Sequence, residues 1–122
     1  RFLRPYADEG LFVYADSADP RLIDEVALGG IVIYGAQKGA GSILAGIDKM
    51  QTFEIFTTKQ SVHLQSEFRK YVWSKDKDGN YINVPEDHDN HLIDAARYYI
   101  LAVLLGKVMK PRKASKSDLG VY

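Results

Sequence analysis

The chain alternates short apolar runs with helix-forming segments, and this alternation limits the possible folds more than any other feature. The run LFVYA (11–15) ends at Asp16, and Pro20 then stands where a helix can begin. The run IVIYG (31–35) follows, and Ser42 is expected to cap the next helix. Strands that alternate with helices predict right-handed crossovers and a parallel sheet.

The second half of the chain departs from the regular alternation of strands and helices. FEIFTT (53–58) is predicted to be a third strand, followed by a helix over about 60–73 with apolar residues at helical spacing. The polar stretch 74–85 carries an Asp-Gly pair between two short extended pieces, which suits a hairpin or an excursion from the fold. A last helix is expected from residue 89 or 90 to about 109.

Composition excludes several classes of protein and of site. The 122 residues are 46% hydrophobic and 26% charged, which is typical of one globular domain. Sixteen basic residues balance sixteen acidic ones, so the net charge gives no overall signal for nucleic acid or membrane. The chain has no cysteine, which excludes disulfides, thiolate zinc sites and a cysteine nucleophile. The apolar run 100–106 is far shorter than the roughly 18 residues that suggest a membrane span.

Three residues form a candidate metal site. Asp16 follows a predicted strand, where ligand-binding residues of α/β sheets tend to lie. His91 and Asp94 are three apart on the last helix and therefore project side by side, with Tyr98 one turn beyond. Each feature also has a simpler reading, since Asp16 can cap its own turn and the helical pair can be solvated. Together, the oxygen and nitrogen donors are those that a hard divalent cation requires.

Four segments carry a family resemblance: YADSADPRLIDEVALGG, QKGAGSILAGIDKMQ, EFRKYVW and DHDNHLIDAARYYI. In their order and spacing they resemble the carboxy-terminal nuclease domain of the large subunit of tailed-bacteriophage terminases, over residues 11 to about 105. The resemblance implies a ribonuclease-H-like α/β fold, with a mainly parallel sheet flanked by helices. It also implies an endonuclease that cuts concatemeric double-stranded DNA during genome packaging.

By the same resemblance, Asp16, His91 and Asp94 are expected to be the catalytic metal ligands. They would hold two divalent ions, Mg²⁺ or Mn²⁺, one activating water and the other stabilising the leaving 3′ oxygen. The family also places an aspartate on a first strand, and nothing before residue 11 is long enough to supply that strand and the hairpin after it. We therefore expect a partial domain over residues 1–109 with an incomplete site, the nuclease activity belonging to the parent protein.

The expected partners are double-stranded DNA, the phage portal and the small terminase subunit, in the cytoplasm of the host bacterium, with no membrane partner. Lys38 lies in a glycine-rich loop. The loop lacks the Gly-Lys-Ser/Thr ending of a phosphate-binding P-loop, so an ATPase site is not expected there. Lys38 can instead contact a DNA phosphate. Residues 110–122 are predicted to be a flexible basic tail. Basic residues of this end are further candidates for DNA contact: Lys107, Lys110, Arg112, Lys113 and Lys116.

Two other functions stay open at this point. The chain can be a non-catalytic module that docks on DNA or on the portal through its basic end. It can also be a resolvase-type nuclease of the same fold, which would keep the metal chemistry and prefer branched DNA.

Overall fold

The structure, a computed structural model, describes residues 2–106. Helices and strands alternate only as far as α3, and the last α-helix continues into a π-helical turn, in which the Leu105 N–H donates to the Ile100 carbonyl at 3.3 Å. The elements are α1 (Arg4–Asp8), β1 (Val13–Ala15), α2 (Pro20–Leu28), β2 (Ile33–Gly35), α3 (Ser42–Met50), α4 (Val62–Lys70), β3 (Trp73–Lys75), β4 (Tyr81–Pro85), α5 (His91–Tyr99) and the π-helical turn Ile100–Leu104. The basic tail and the predicted end of the last helix lie outside the described residues.

The predicted strand–helix–strand unit is present. Strands β1 and β2 pair in parallel, with Tyr14 opposite Tyr34, and α2 is the crossover between them. Pro20 is the first residue of α2, where its missing N–H costs nothing, and the Asp19 side chain accepts from the Arg21 N–H at 3.1 Å. The α/β fold with a parallel strand pair flanked by helices is thereby confirmed.

The predicted hairpin is also present. Strands β3 and β4 pair antiparallel, with Trp73 opposite Pro85. Gly79 has a φ of 81°, a left-handed conformation that glycine adopts without strain, and the Asp76 carboxylate accepts from the Asp78 and Asn80 N–H groups at 2.9 Å each. These contacts explain why a stretch this polar turns sharply.

Two local predictions are wrong. Residues 53–58 form no strand, and neither described strand pair includes them. Strand preference depends on packing against neighbours, and this segment is exposed, with Phe56 82% accessible. Ser42 does not cap α3, because it is the first helical residue, while Gly41 with a φ of 78° takes the capping position. The Ser42 hydroxyl instead accepts from the Gly39 N–H at 3.4 Å.

The core lies between β2, α3 and α5. The most buried large side chains, Ile93 and Leu101, come from α5 and the π-helical turn that continues it. Helix α5 contacts β1, α3 and α4, so it is the central element of the packing. The other buried apolar side chains around it are Ile31, Ile33, Ala36, Ile47, Met50, Tyr98 and Ala102.

Candidate functional site

Asp16 lies at the carboxyl end of β1, in a turn that the structure ties to the end of β2. Its Oδ1 accepts from the Ala18 N–H at 2.8 Å, so the residue does cap its own turn. The Ser17 hydroxyl donates to the Ala36 carbonyl at 2.7 Å, and the Ala36 N–H donates to the Ala15 carbonyl at 2.7 Å. These bonds hold the loops after β1 and β2 side by side, and the carboxylate remains exposed between them.

Lys38, in the loop after β2, is the ion-pair partner of Asp16. Its Nζ lies 2.5 Å from Oδ1, and the two side chains are 47% and 54% exposed. The Lys38 hydrogen bond is the main reason that the pKa of the Asp16 carboxyl lies below its ordinary value. The same bond raises the pKa of Lys38. The sequence placed Lys38 at a DNA phosphate, which stays a prediction, and did not suggest this pair.

Tyr98 connects Asp16 to the last helix. Its hydroxyl donates to Asp16 Oδ2 in a long hydrogen bond of 3.5 Å, and the Tyr98 side chain is buried. Burial raises the pKa of Tyr98 most, and the charges of Asp16 and Asp94 raise it further. Because Asp94 is one turn before Tyr98 on α5, the end of β1 and the acidic turn of α5 lie on the same side of the molecule.

Asp94 is held by Arg97, one turn further along α5. The Arg97 Nη2 donates to Asp94 Oδ1 at 3.2 Å; the Arg97 side chain is only 6% exposed and that of Asp94 27%. The aliphatic stem of Arg97 crosses Gly46 so closely that a Cβ there would lie 2.4 Å from Arg97 Cγ. The Arg97 guanidinium carbon is 5.1 Å from the centre of the Tyr98 ring. The Arg97 guanidinium is therefore a buried cation held in place next to the Asp94 carboxylate.

His91 is the first residue of α5 and is exposed. It lies on the helix of Asp94, as the spacing predicted, but further from the Tyr98 contact with Asp16. Within residues 2–106 no group of three or more histidine, cysteine, aspartate or glutamate side chains is arranged to hold a metal ion. The metal-ligand roles of Asp16, His91 and Asp94 stay a prediction.

Sequence reasoning missed Glu67, which fixes the start of α5. Its Oε2 accepts from the backbone N–H groups of Leu92 and Ile93 at 2.8 and 2.9 Å. The first N–H groups of a helix have no partner within the helix, and a carboxylate also favours the positive end of the helix dipole. Glu67 is 25 residues before Leu92, so no local pattern could have revealed the contact.

The chain contains a parallel β–α–β unit with a carboxylate after its first strand. A second carboxylate lies on a terminal helix that packs against that strand. This arrangement is compatible with a ribonuclease-H-like domain. A family model described as "Terminase RNAseH like domain" matches residues 11–101. The chain belongs to this family, and the predicted resemblance is confirmed.

Two comparisons with proteins of bacteriophage SPP1 agree. The large terminase subunit of Bacillus phage SPP1 is 35% identical over 102 residues, which cover 80% of this chain and 24% of that protein. The crystal structure of the g2p (large terminase) nuclease domain of SPP1 with bound Mn is similar with a TM-score of 0.71 and 34% identity, over 81% of this chain and 58% of that one. This chain thus spans about a quarter of the large subunit it resembles.

Between residues 2 and 106, each helix is too short or too polar to cross a bilayer.

Proposed function

We propose that this chain is part of the nuclease domain of a phage terminase large subunit, and that the domain takes part in metal-dependent cutting of concatemeric double-stranded DNA during packaging. The observation that supports it best is the contact of Tyr98 with Asp16, because it joins the acidic end of β1 to the helix that carries Asp94. The structural relative solved with Mn supports a divalent metal.

The donor types fit such an ion. Asp16 and Asp94 offer hard carboxylate oxygens, each already close to a cationic side chain, and His91 offers an exposed imidazole at the start of the same helix as Asp94. We propose these three as ligands, completed by an aspartate outside residues 11–101, as the family resemblance implies. A bound divalent ion would activate water and neutralise charge on the scissile phosphate.

The protein's own contribution is orientation. Arg97 holds the Asp94 carboxylate through Oδ1, and Tyr98 directs a hydroxyl at Asp16 Oδ2. Glu67 anchors the first turn of the helix from which His91 and Asp94 project. Such supporting contacts place ligands before a metal arrives and reduce the cost of ordering them on binding.

The test is cleavage of linear double-stranded DNA by the natural full-length polypeptide in Mn²⁺ or Mg²⁺. Asp16→Asn and Asp94→Asn should each lower cleavage by more than about tenfold, since even outer-shell partners of metal ligands cost about 10- to 100-fold. Asp48→Asn, an exposed aspartate on α3, is the matched control. ATP hydrolysis by the packaging motor, which the family resemblance implies elsewhere in the parent protein, should stay unchanged in all three variants.

Full cleavage by both site variants would reject the proposal and leave the docking module, which binds DNA or the portal without cutting. A preference for branched over linear DNA would instead favour the resolvase-type nuclease. The small terminase subunit and the portal as partners, and the host cytoplasm as location, belong to the same proposal and depend on it.

A further inference from the structure

The Asp16 carboxylate already accepts three donors. Oδ1 takes the Lys38 ammonium at 2.5 Å and the Ala18 N–H at 2.8 Å, and Oδ2 takes the Tyr98 hydroxyl at 3.5 Å. A divalent cation that approached Oδ1 would meet the Lys38 charge within a few ångströms, and like charges repel at that range. Lys38 and a metal ion therefore compete for one carboxylate.

The position of Lys38 makes it the partner that can leave. Its loop is anchored at Ala36 by the bonds to Ser17 and Ala15, whereas residues 37–41 are all exposed. A Cβ placed at Gly39 or Gly41 would meet nothing within 4 Å, so open space surrounds the loop. The ammonium can reach water without disturbing the core.

The Asp94 pair shows the opposite situation. Arg97 is almost completely buried, and its stem is confined by Gly46. Moving its guanidinium away would leave a buried charge without its carboxylate, which is costly. Of these two ion pairs, only the Asp16–Lys38 pair can separate without leaving a buried charge unpaired.

We propose that Lys38 is an exchangeable counter-ion of Asp16: a divalent metal ion displaces its ammonium from the carboxylate, and the released side chain then binds a phosphate of the DNA backbone. The inference rests on the proposed function, because it assumes that Asp16 is a metal ligand. Under this proposal, bound metal raises the affinity for DNA and bound DNA raises the affinity for metal. The coupling free energy must be the same in both directions.

The test uses the full-length polypeptide and two measurements that need no catalysis. Binding of Mn²⁺ without DNA is followed by electron paramagnetic resonance, and binding of a DNA duplex is followed by fluorescence anisotropy with Ca²⁺ over a range of salt concentrations. Lys38→Met removes the charge and keeps the stem, and Lys38→Arg keeps the charge. Lys59→Met, an exposed lysine on the 51–60 segment, is the matched control.

Lys38→Met should bind Mn²⁺ about two- to fivefold more tightly, the range that an exposed ion pair implies. Its DNA binding in Ca²⁺ should weaken, and the slope of log affinity against log salt should fall by about one unit, as for one lost phosphate contact. Lys38→Arg and Lys59→Met should behave like the natural protein. Unchanged or weaker Mn²⁺ binding in Lys38→Met, or an unchanged salt slope, overturns the inference.

Asp16→Asn separates this failure from failure of the proposed function. If Asp16→Asn loses Mn²⁺ binding while Lys38→Met does not tighten it, Asp16 is a ligand and Lys38 is no competitor. If Asp16→Asn binds Mn²⁺ as well as the natural protein, the metal-ligand role of Asp16 fails and the inference fails with it.

Discussion

Asp16 and Asp94 each pair with a basic side chain, but their surroundings differ. The Asp16 pair joins two loops, and both partners are about half exposed. The Asp94 pair lies within α5, and its Arg97 partner is buried against α3. Water and salt weaken an exposed pair such as Asp16–Lys38. Breaking a buried pair such as Asp94–Arg97 leaves a buried charge with neither its partner nor water. The same chemical pairing thus gives an adjustable contact in one region and a structural one in the other.

Replacing Arg97 should have the largest effect. Arg97→Ala should lower the free energy of unfolding by about 2 to 3 kcal/mol, somewhat less than the roughly 3 to 5 kcal/mol for breaking a fully buried pair, because Asp94 keeps some solvent contact. Lys38→Ala should cost no more than about 1 kcal/mol. Urea unfolding of both variants measures the difference, and equal losses would erase the distinction between the two regions.

Gly46 offers a sharper test of how Arg97 is confined. Gly46→Ala places a Cβ 2.4 Å from Arg97 Cγ and should destabilise the chain, since overpacking typically costs about 1 to 3 kcal/mol and exceeds the gain of about 1 kcal/mol from alanine in a helix. In an Arg97→Ala background the same change should stabilise instead. A double-mutant cycle by urea unfolding measures this reversal of sign, and additive effects would contradict it.

Glu67 should affect only the region around α5. Glu67→Ala should cost about 1 kcal/mol, as loss of a helix cap usually does, and should speed hydrogen exchange at the Leu92 and Ile93 amides that it binds. Glu54→Ala, at an exposed position, is the control. Exchange at Ala18, whose N–H bonds to Asp16, should not change, and faster exchange there would mean that the two regions are coupled.

The smallest effect concerns a largely solvent-exposed pair in the segment between β4 and α5. The Glu86 carboxylate, 2.7 Å from His88 Nε2, raises the pKa of His88 above its ordinary 6.5. A raised pKa in the folded state stabilises the fold below about pH 6.5, and this contribution disappears as the pH rises through the raised value. NMR titration should show the His88 pKa falling in Glu86→Gln. An unchanged His88 pKa would mean that the pair does not form in solution.

Local patterns predicted the elements whose signals are contained in a few neighbouring residues. The local predictions that proved correct are Pro20 at a helix start, the β-branched run before Ala36, the Asp-Gly turn and a last helix that starts near residue 89 or 90. The prediction of a strand at 53–58 failed, because a strand also needs a partner that its own sequence does not supply.

The sequence by itself determined the α/β class and the acidic residue at the end of β1, because strand and helix patterns are properties of short stretches. The order and spacing of four such stretches carried the family resemblance. Only the tertiary structure decided which side chains meet: Lys38 with Asp16, Tyr98 with Asp16, and Glu67 with the start of α5. Those contacts join residues far apart in the chain, and their geometry follows from how α5 packs against β1, α3 and α4.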